Sequence, residues 1–248
     1  MEKKSNYKKY AKKDWQNLYT GYQEIYKENP RESDKKTIDI IKERIKNKKK
    51  IEILDVGCST GNFLKHLKLQ MPDARLTGID LASNIIESCK RDKKLQGIEF
   101  YKADLTSLNL KKKFDIVTGN AVTCSFGKEL YLKALQSIYN SLKDKGFYIG
   151  FEWINPFDFQ DLSINEKNEG FPEGMTFYIR PRNMVEKIMK EIGFDSIDFY
   201  KFNLPIDLPF PGFDKNVTSY TRKDEFNEKI IFRGIWSQPW HHFVAKKA

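Results

Sequence analysis

The chain has 248 residues and a mass of 29.2 kDa, room for one sizeable core with a small appended cap. No apolar run approaches the ~18 residues of a membrane-spanning helix, and Cys58, Cys89 and Cys124 form no CxxC pair, which argues against a disulfide framework or a cysteine zinc site and for a reducing cytoplasm. The formal net charge is +10, but residues 1–50 hold 16 basic and 8 acidic side chains while the remainder holds 28 and 26, so the excess is N-terminal.

That arm opens with lysines and no apolar segment follows, so no secretory signal is expected. Tyr7, Tyr10, Trp15, Tyr19 and Tyr22 are interleaved with its lysines. Two readings stay open: a surface that stacks on bases, or an amphipathic helix folded over a pocket. From Ser33 or Asp34 a helix is predicted, because Ile38, Ile41 and Ile45 recur at helical spacing. Residues 1–48 thus read as an N-terminal helical arm, and 49–248 as the main domain.

Ile51–Val56 reads as a buried strand, Gly57–Gly61 as a tight turn, and Asn62–Gln70 as a helix stopped by Pro72. Arg75–Ile79 is a second strand, ending at Asp80. Ser83 or Asn84 is expected to cap the next helix, with Glu87 completing a capping box. Ile98–Ala103, Phe114–Thr118 and Phe147–Trp153 are further strands, with a helix through Tyr131, Leu135, Ile138 and Leu142 before the last. Strand and helix alternate five times, the pattern of an α/β, doubly wound, mostly parallel sheet. After a helix over Met184–Ile192, Ile197–Phe202 and Trp240–Lys246 complete a seven-stranded sheet whose last strand is antiparallel. Insertions at about 155–179 and 204–236 break the regularity, the second with a hairpin of Val217–Arg222 and Lys229–Gly234. Long insertions at one end of a regular sheet read as lids.

The stretch Asp55-Val56-Gly57-Cys58-Ser59-Thr60-Gly61-Asn62-Phe63 joins a strand to a helix through a turn of small residues. A backbone there passes close to a ligand, outside the carboxyl ends of the strands. The spacing lacks the third glycine of a dinucleotide fingerprint and the Gly-Lys-Ser/Thr of a phosphate loop. It resembles the first motif of class I S-adenosylmethionine-dependent methyltransferases, small-molecule type. The match continues at Asp80 in Gly78-Ile79-Asp80-Leu81-Ala82, at Asp104 in Lys102-Ala103-Asp104-Leu105, and along Phe114-Asp115-Ile116-Val117-Thr118-Gly119-Asn120-Ala121-Val122. It covers residues 50–153 closely and 180–246 as a general pattern.

The resemblance implies a Rossmann-like transferase using S-adenosyl-L-methionine. It implies cofactor contacts from Asp55, Gly57, Cys58, Ser59, Gly61 and Phe63, from Asp80 and Leu81 at the ribose, from Asp104 and Leu105 at the adenine, and from Asn120 and Val122 beside the methyl group. Where many relatives carry a His-His pair this chain has Thr123-Cys124-Ser125, and the Asn-Pro-Pro-Phe signature of amino methylation in nucleic acids is absent. Candidate catalytic bases are therefore His241 and His242, which alternate on the last strand, and Glu152 at the end of the fifth, facing the crevice. Trp15, Tyr19, Tyr22, Trp153, Tyr178 and Arg180 are the candidate substrate contacts. No acidic cluster suits a catalytic metal.

These observations lead to O-methylation of a small polar metabolite by direct in-line transfer, with phosphorylated and sugar-related molecules within the class, in the cytoplasm and away from membranes. An RNA methyltransferase using the basic arm, N-methylation of a small amine, and a non-enzymatic binding module are the alternatives.

Overall fold

A computed structural model describes residues 7–12, 20–45, 50–168, 171–213 and 219–248. Helix α1 (Glu32–Ile45) begins two residues before the expected Asp34 and buries Ile38, Ile40 and Ile41. Strand β1 (Glu52–Val56) and helix α2 (Asn62–Gln70) flank the glycine turn. Then come β2 (Arg75–Asp80), α3 (Ser83–Arg91), β3 (Glu99–Lys102), β4 (Phe114–Asn120), α4 (Lys128–Ser141) and β5 (Leu142–Asn155). The second half contains β6 (Leu162–Asn168), β7 (Phe171–Pro181), α5 (Arg182–Ile192), β8 (Phe194–Lys201), β9 (Ser219–Lys223), β10 (Lys229–Arg233), β11 (Trp236–Ser237) and β12 (Trp240–Lys247).

The main sheet runs β3-β2-β1-β4-β5-β12-β8. Strands β1 to β5 pair parallel, and β12 is antiparallel to both β5 and β8. This is the expected seven-stranded arrangement. Its connections put helices on both faces, and the two-residue period of the strands splits the core accordingly. Ile53, Ile116, Ile149 and Val244 face α1, α2 and α3, together with Ile38, Ile41, Leu64, Leu67, Ile85 and Ile86. Their neighbours Leu54, Val117, Tyr148 and Phe243 face α4 and α5, against Leu135, Ile138, Val185 and Met189. Burying both faces explains the near-continuous apolar runs of the central strands.

Two local expectations fail. No side chain of Ser83 or Asn84 caps α3. Its N-cap is Ala82, whose N–H donates to Asp80 Oδ1 at 2.9 Å, so the preceding strand supplies the acceptor. The insertions are also more regular than expected. Strands β6 and β7 form an antiparallel hairpin, and β7 docks parallel to the end of β5 through Ile154↔Arg180. In the second insertion β9 and β10 pair as the expected hairpin, Val217 and Thr218 of its first strand lying outside the described residues, and β11 adds a third strand. No helix among the described residues is long and apolar enough to cross a membrane.

Candidate functional site

The carboxyl ends of β1, β2 and β3 carry Asp55, Asp80 and, just past the third, Asp104. Parallel pairing aligns these strand ends, so three aspartates far apart in sequence stand along one edge of the sheet.

The turn after β1 is built for close approach. Gly57, Ser59 and Gly61 have φ of 68°, 48° and 76°. A Cβ on Gly57 would lie 2.7 Å from Val122 Cγ2, so the loop after β4 closes onto the turn only because glycine stands there. The Ser59 N–H donates to Asp80 Oδ2 at 3.0 Å, and the Cys58 N–H to the Ile79 carbonyl at 2.9 Å, tying the turn to β2. Burial raises the Asp80 carboxyl above its ordinary value, opposed by backbone N–H donors of Ala82, Ser59 and Leu81. Asp55 is buried, and its Oδ1 accepts from the Thr118 hydroxyl at 2.7 Å. Burial pushes its carboxyl up to about 8, opposed by the Thr118 bond and reinforced by the charges of Asp34 and Asp80.

Asp104 behaves differently. Burial raises it, but hydrogen bonds from the Tyr7 hydroxyl (2.6 Å) and from the Thr106 N–H (2.9 Å) and hydroxyl (2.7 Å) prevail and hold it below the ordinary carboxylate range. Tyr7 also packs edge-on to Phe126 at 5.1 Å. Residues 7–12 are thus anchored beside Asp104 and Phe126. Further on, the Asn62 side chain donates to the Gln23 carbonyl at 2.8 Å, and the Asn120 amide donates to the buried Asp34 at 3.0 Å. From sequence Asp34 reads only as a helix cap; its pairing with Asn120, 86 positions away, has no local signal. Tyr22 is 46% exposed and packs edge-on to Tyr26, with Arg31 over both rings. Trp15 and Tyr19 lie outside the described residues.

Of the other expected cofactor contacts, Cys58 and Leu105 are buried in the two core clusters, while Phe63, Leu81, Asn120 and Val122 are half-buried around the turn. A nucleoside with a cationic sulfur fits this donor set. Carboxylates suit hydroxyl and amino donors as well as positive charge. Ser59 Oγ and Thr60 Oγ1 are buried in the turn with no hydrogen-bond partner among the described residues, leaving polar capacity that a ligand can use. No group of three or more metal-ligating side chains occurs among the described residues.

The candidate bases separate onto two faces. His242 points to α1, with Nε2 3.1 Å from Thr37 Oγ1 and 3.3 Å from the Ser33 carbonyl. The Thr37 hydroxyl already donates to that carbonyl at 2.9 Å, so Nε2–H is the donor. Burial lowers this imidazole to about 4. His241 pairs in register with Glu152, one residue beyond the Asn120–Phe151 pair. Its Nδ1–H donates to the Pro239 carbonyl at 3.0 Å, and burial lowers its pKa. Glu152 is buried rather than open to the crevice, with the loop at Thr123 and Cys124 and the side chain of Arg180 beside it. Its Oε1 accepts from both the N–H and the hydroxyl of Thr123, each at 2.9 Å. Arg180 is also buried. It donates to the Phe126 carbonyl and sits 4.0 Å from the ring centre of Tyr131 and 5.2 Å from that of Tyr178. Trp153 is buried among Phe177, Trp236 and Trp240.

Residues 53–146 match the family described as a methyltransferase domain. Over 139 residues the chain is 32% identical to a malonyl-[acyl-carrier protein] O-methyltransferase of Acetivibrio thermocellus, covering 53% of this chain and 48% of that protein. Over 183 residues it is 26% identical to a carboxy-S-adenosyl-L-methionine synthase of Nautilia profundicola, covering 65% and 76%. The chain spans about half the length of the first of these relatives. Human N-acetylserotonin methyltransferase, solved in complex with S-adenosylmethionine, shares the fold with a TM-score of 0.63 at 13% identity, over 97% of this chain and 58% of that one.

Proposed function

We propose that this chain, which carries a class I S-adenosylmethionine-dependent methyltransferase domain, methylates an oxygen of a small polar molecule by direct in-line transfer. The observation that carries this reading is the row of Asp55, Asp80 and Asp104 along adjacent strand ends, beside the turn that Gly57 opens. Asp80 and Asp104 would hold the nucleoside, and the small turn residues the amino-acid end. When bound, the cofactor supplies a methyl group made electrophilic by its sulfonium.

The protein's own part is to orient the acceptor and exclude water. The aromatic group around Trp153, closed by the β6–β7 hairpin, supports an enclosed acceptor rather than an open groove. For a hydroxyl acceptor, His241 is the proposed base. With Nδ1–H committed to Pro239, its Nε2 carries the lone pair, and burial keeps the ring neutral at pH 7. For a carboxylate acceptor, as in the relatives named as malonyl-[acyl-carrier protein] and trans-aconitate methyltransferases, no base is needed.

Calorimetry with S-adenosylmethionine and its demethylated product, followed by mass-spectrometric screening of metabolite extracts, tests this. Binding of both, with one small molecule gaining a methyl mass, is expected. Absence of binding to either overturns the reading.

A further inference from the structure

Glu152 faces the loop that closes the crevice, not the crevice itself. That loop, residues 121–126, leaves β4 through Ala121 at a φ of 55°, a conformation a non-glycine residue holds only under constraint. The constraints come from below and from within. The Ala121 N–H donates to the Phe151 carbonyl at 2.8 Å, the Ser125 hydroxyl to the Val122 carbonyl at 3.0 Å, and Arg180 to the Phe126 carbonyl. Glu152 supplies the central anchor, because one carboxylate oxygen takes both donors of Thr123. The next residue back, Val122, is the one that packs onto Gly57.

We propose that Glu152 is a positioning residue: its carboxylate fixes the 121–126 loop, and through Val122 the face of the cofactor turn, without taking a proton from the acceptor. The inference rests on the methyltransferase reading above. A base must reach its acceptor, whereas this side chain is 4% exposed and its Oε1 already takes two donors. Arg180, Cys124, Tyr131 and Tyr148 surround it, and His241 lies across the strand. Burial raises the Glu152 carboxyl above its ordinary value, opposed first by the two Thr123 donors and then by the charge of Arg180.

The two roles separate in the conservative variant. Glu152→Gln keeps an oxygen for both Thr123 donors but cannot act as a base. Calorimetry on the full chain reads affinity for S-adenosylmethionine and its demethylated product, and turnover is followed from pH 6 to 9. Glu152→Ala is expected to weaken both ligands about tenfold, the scale of one lost buried hydrogen bond. Glu152→Gln is expected to recover affinity and turnover to within about threefold, the scale of a few tenths of a kcal/mol, with the wild-type pH profile. Thr123→Val, which deletes only the hydroxyl donor, covers the case in which the alanine variant does not fold. It is expected to lie between the other two. Glu152→Gln as slow as Glu152→Ala with ligand affinity intact, or Thr123→Val with unchanged affinity, overturns the proposal. Failure of the wild-type chain to bind either nucleoside is a different result, and overturns the functional reading instead.

Discussion

The hydroxyl of Tyr7 and the carboxylate of Asp104 meet at 2.6 Å across 97 positions of the chain. The contact joins the basic arm to the aspartate that follows β3. Two residues on, Lys9 donates to the Gly174 carbonyl in β7, so one turn of the arm touches both Asp104 and the β6–β7 hairpin. Tyr7→Phe deletes the donor and keeps the ring on Phe126. It should lower the unfolding free energy by about 1 kcal/mol, a hydrogen bond to a charged group discounted for partial exposure. Chemical denaturation measures this, and an unchanged midpoint would remove the contact from the arm's anchorage.

Gly57 is held both by its backbone and by its neighbour. Gly57→Ala should cost about 2–3 kcal/mol, combining the 1–2 kcal/mol of a left-handed residue with overpacking against Val122. Val122→Ala in the same chain should recover the steric share and leave the backbone share. A double mutant no more stable than Gly57→Ala would show that Val122 is not the obstacle.

Asp80→Ala should weaken cofactor binding by roughly 1.5–3 kcal/mol, the range for hydrogen bonds to a charged group. Part of that loss reflects the turn itself, because Asp80 also takes the N–H groups of Ser59 and Ala82. Unchanged affinity in calorimetry would take Asp80 out of the site.

His241→Ala should reduce turnover of a hydroxyl acceptor about 10²–10⁴-fold while leaving cofactor affinity alone. His242→Ala should instead act on stability, since its imidazole is tied to Thr37 and Ser33 on α1. Equal losses of turnover from the two would contradict the division of the strand into two faces.

Two buried groups should tilt stability against pH in opposite directions. His242 titrates near 4 when folded and near 6.5 when unfolded, so the unfolded chain binds the extra proton between those values. Its contribution is complete above about pH 6.5 and falls by about 3 kcal/mol as the pH drops to 4. Asp55 is the reverse. Folded, it keeps its proton to about pH 8, whereas the unfolded carboxyl releases it near 4, so stability declines as pH rises between the two. Urea unfolding of His242→Gln and Asp55→Asn from pH 4 to 8 should flatten one slope each. Unaltered curves would contradict both assignments.

The parallel strands, their order of appearance and the strand-end aspartates were legible in the sequence because each depends on local pattern. Alternating apolar runs need two buried faces, and a carboxylate at a strand end needs only its neighbours in the chain. The glycine turn was legible for the same reason: its positive φ values are a demand on single residues. The roles of Glu152, His242, Tyr7 and Asp34 were not. Whether a carboxylate at the end of a strand opens to a crevice or anchors a loop depends on what packs over it. Here the loop after β4 and Arg180 of β7 lie against Glu152. Likewise Asp104 is shared with a tyrosine of the arm, and Asp34 with Asn120, only after the sheet has brought distant segments together. Chain-local energetics chose the elements. Long-range packing, which sets what each polar group loses from water and gains from a partner, decided the chemistry left to each side chain.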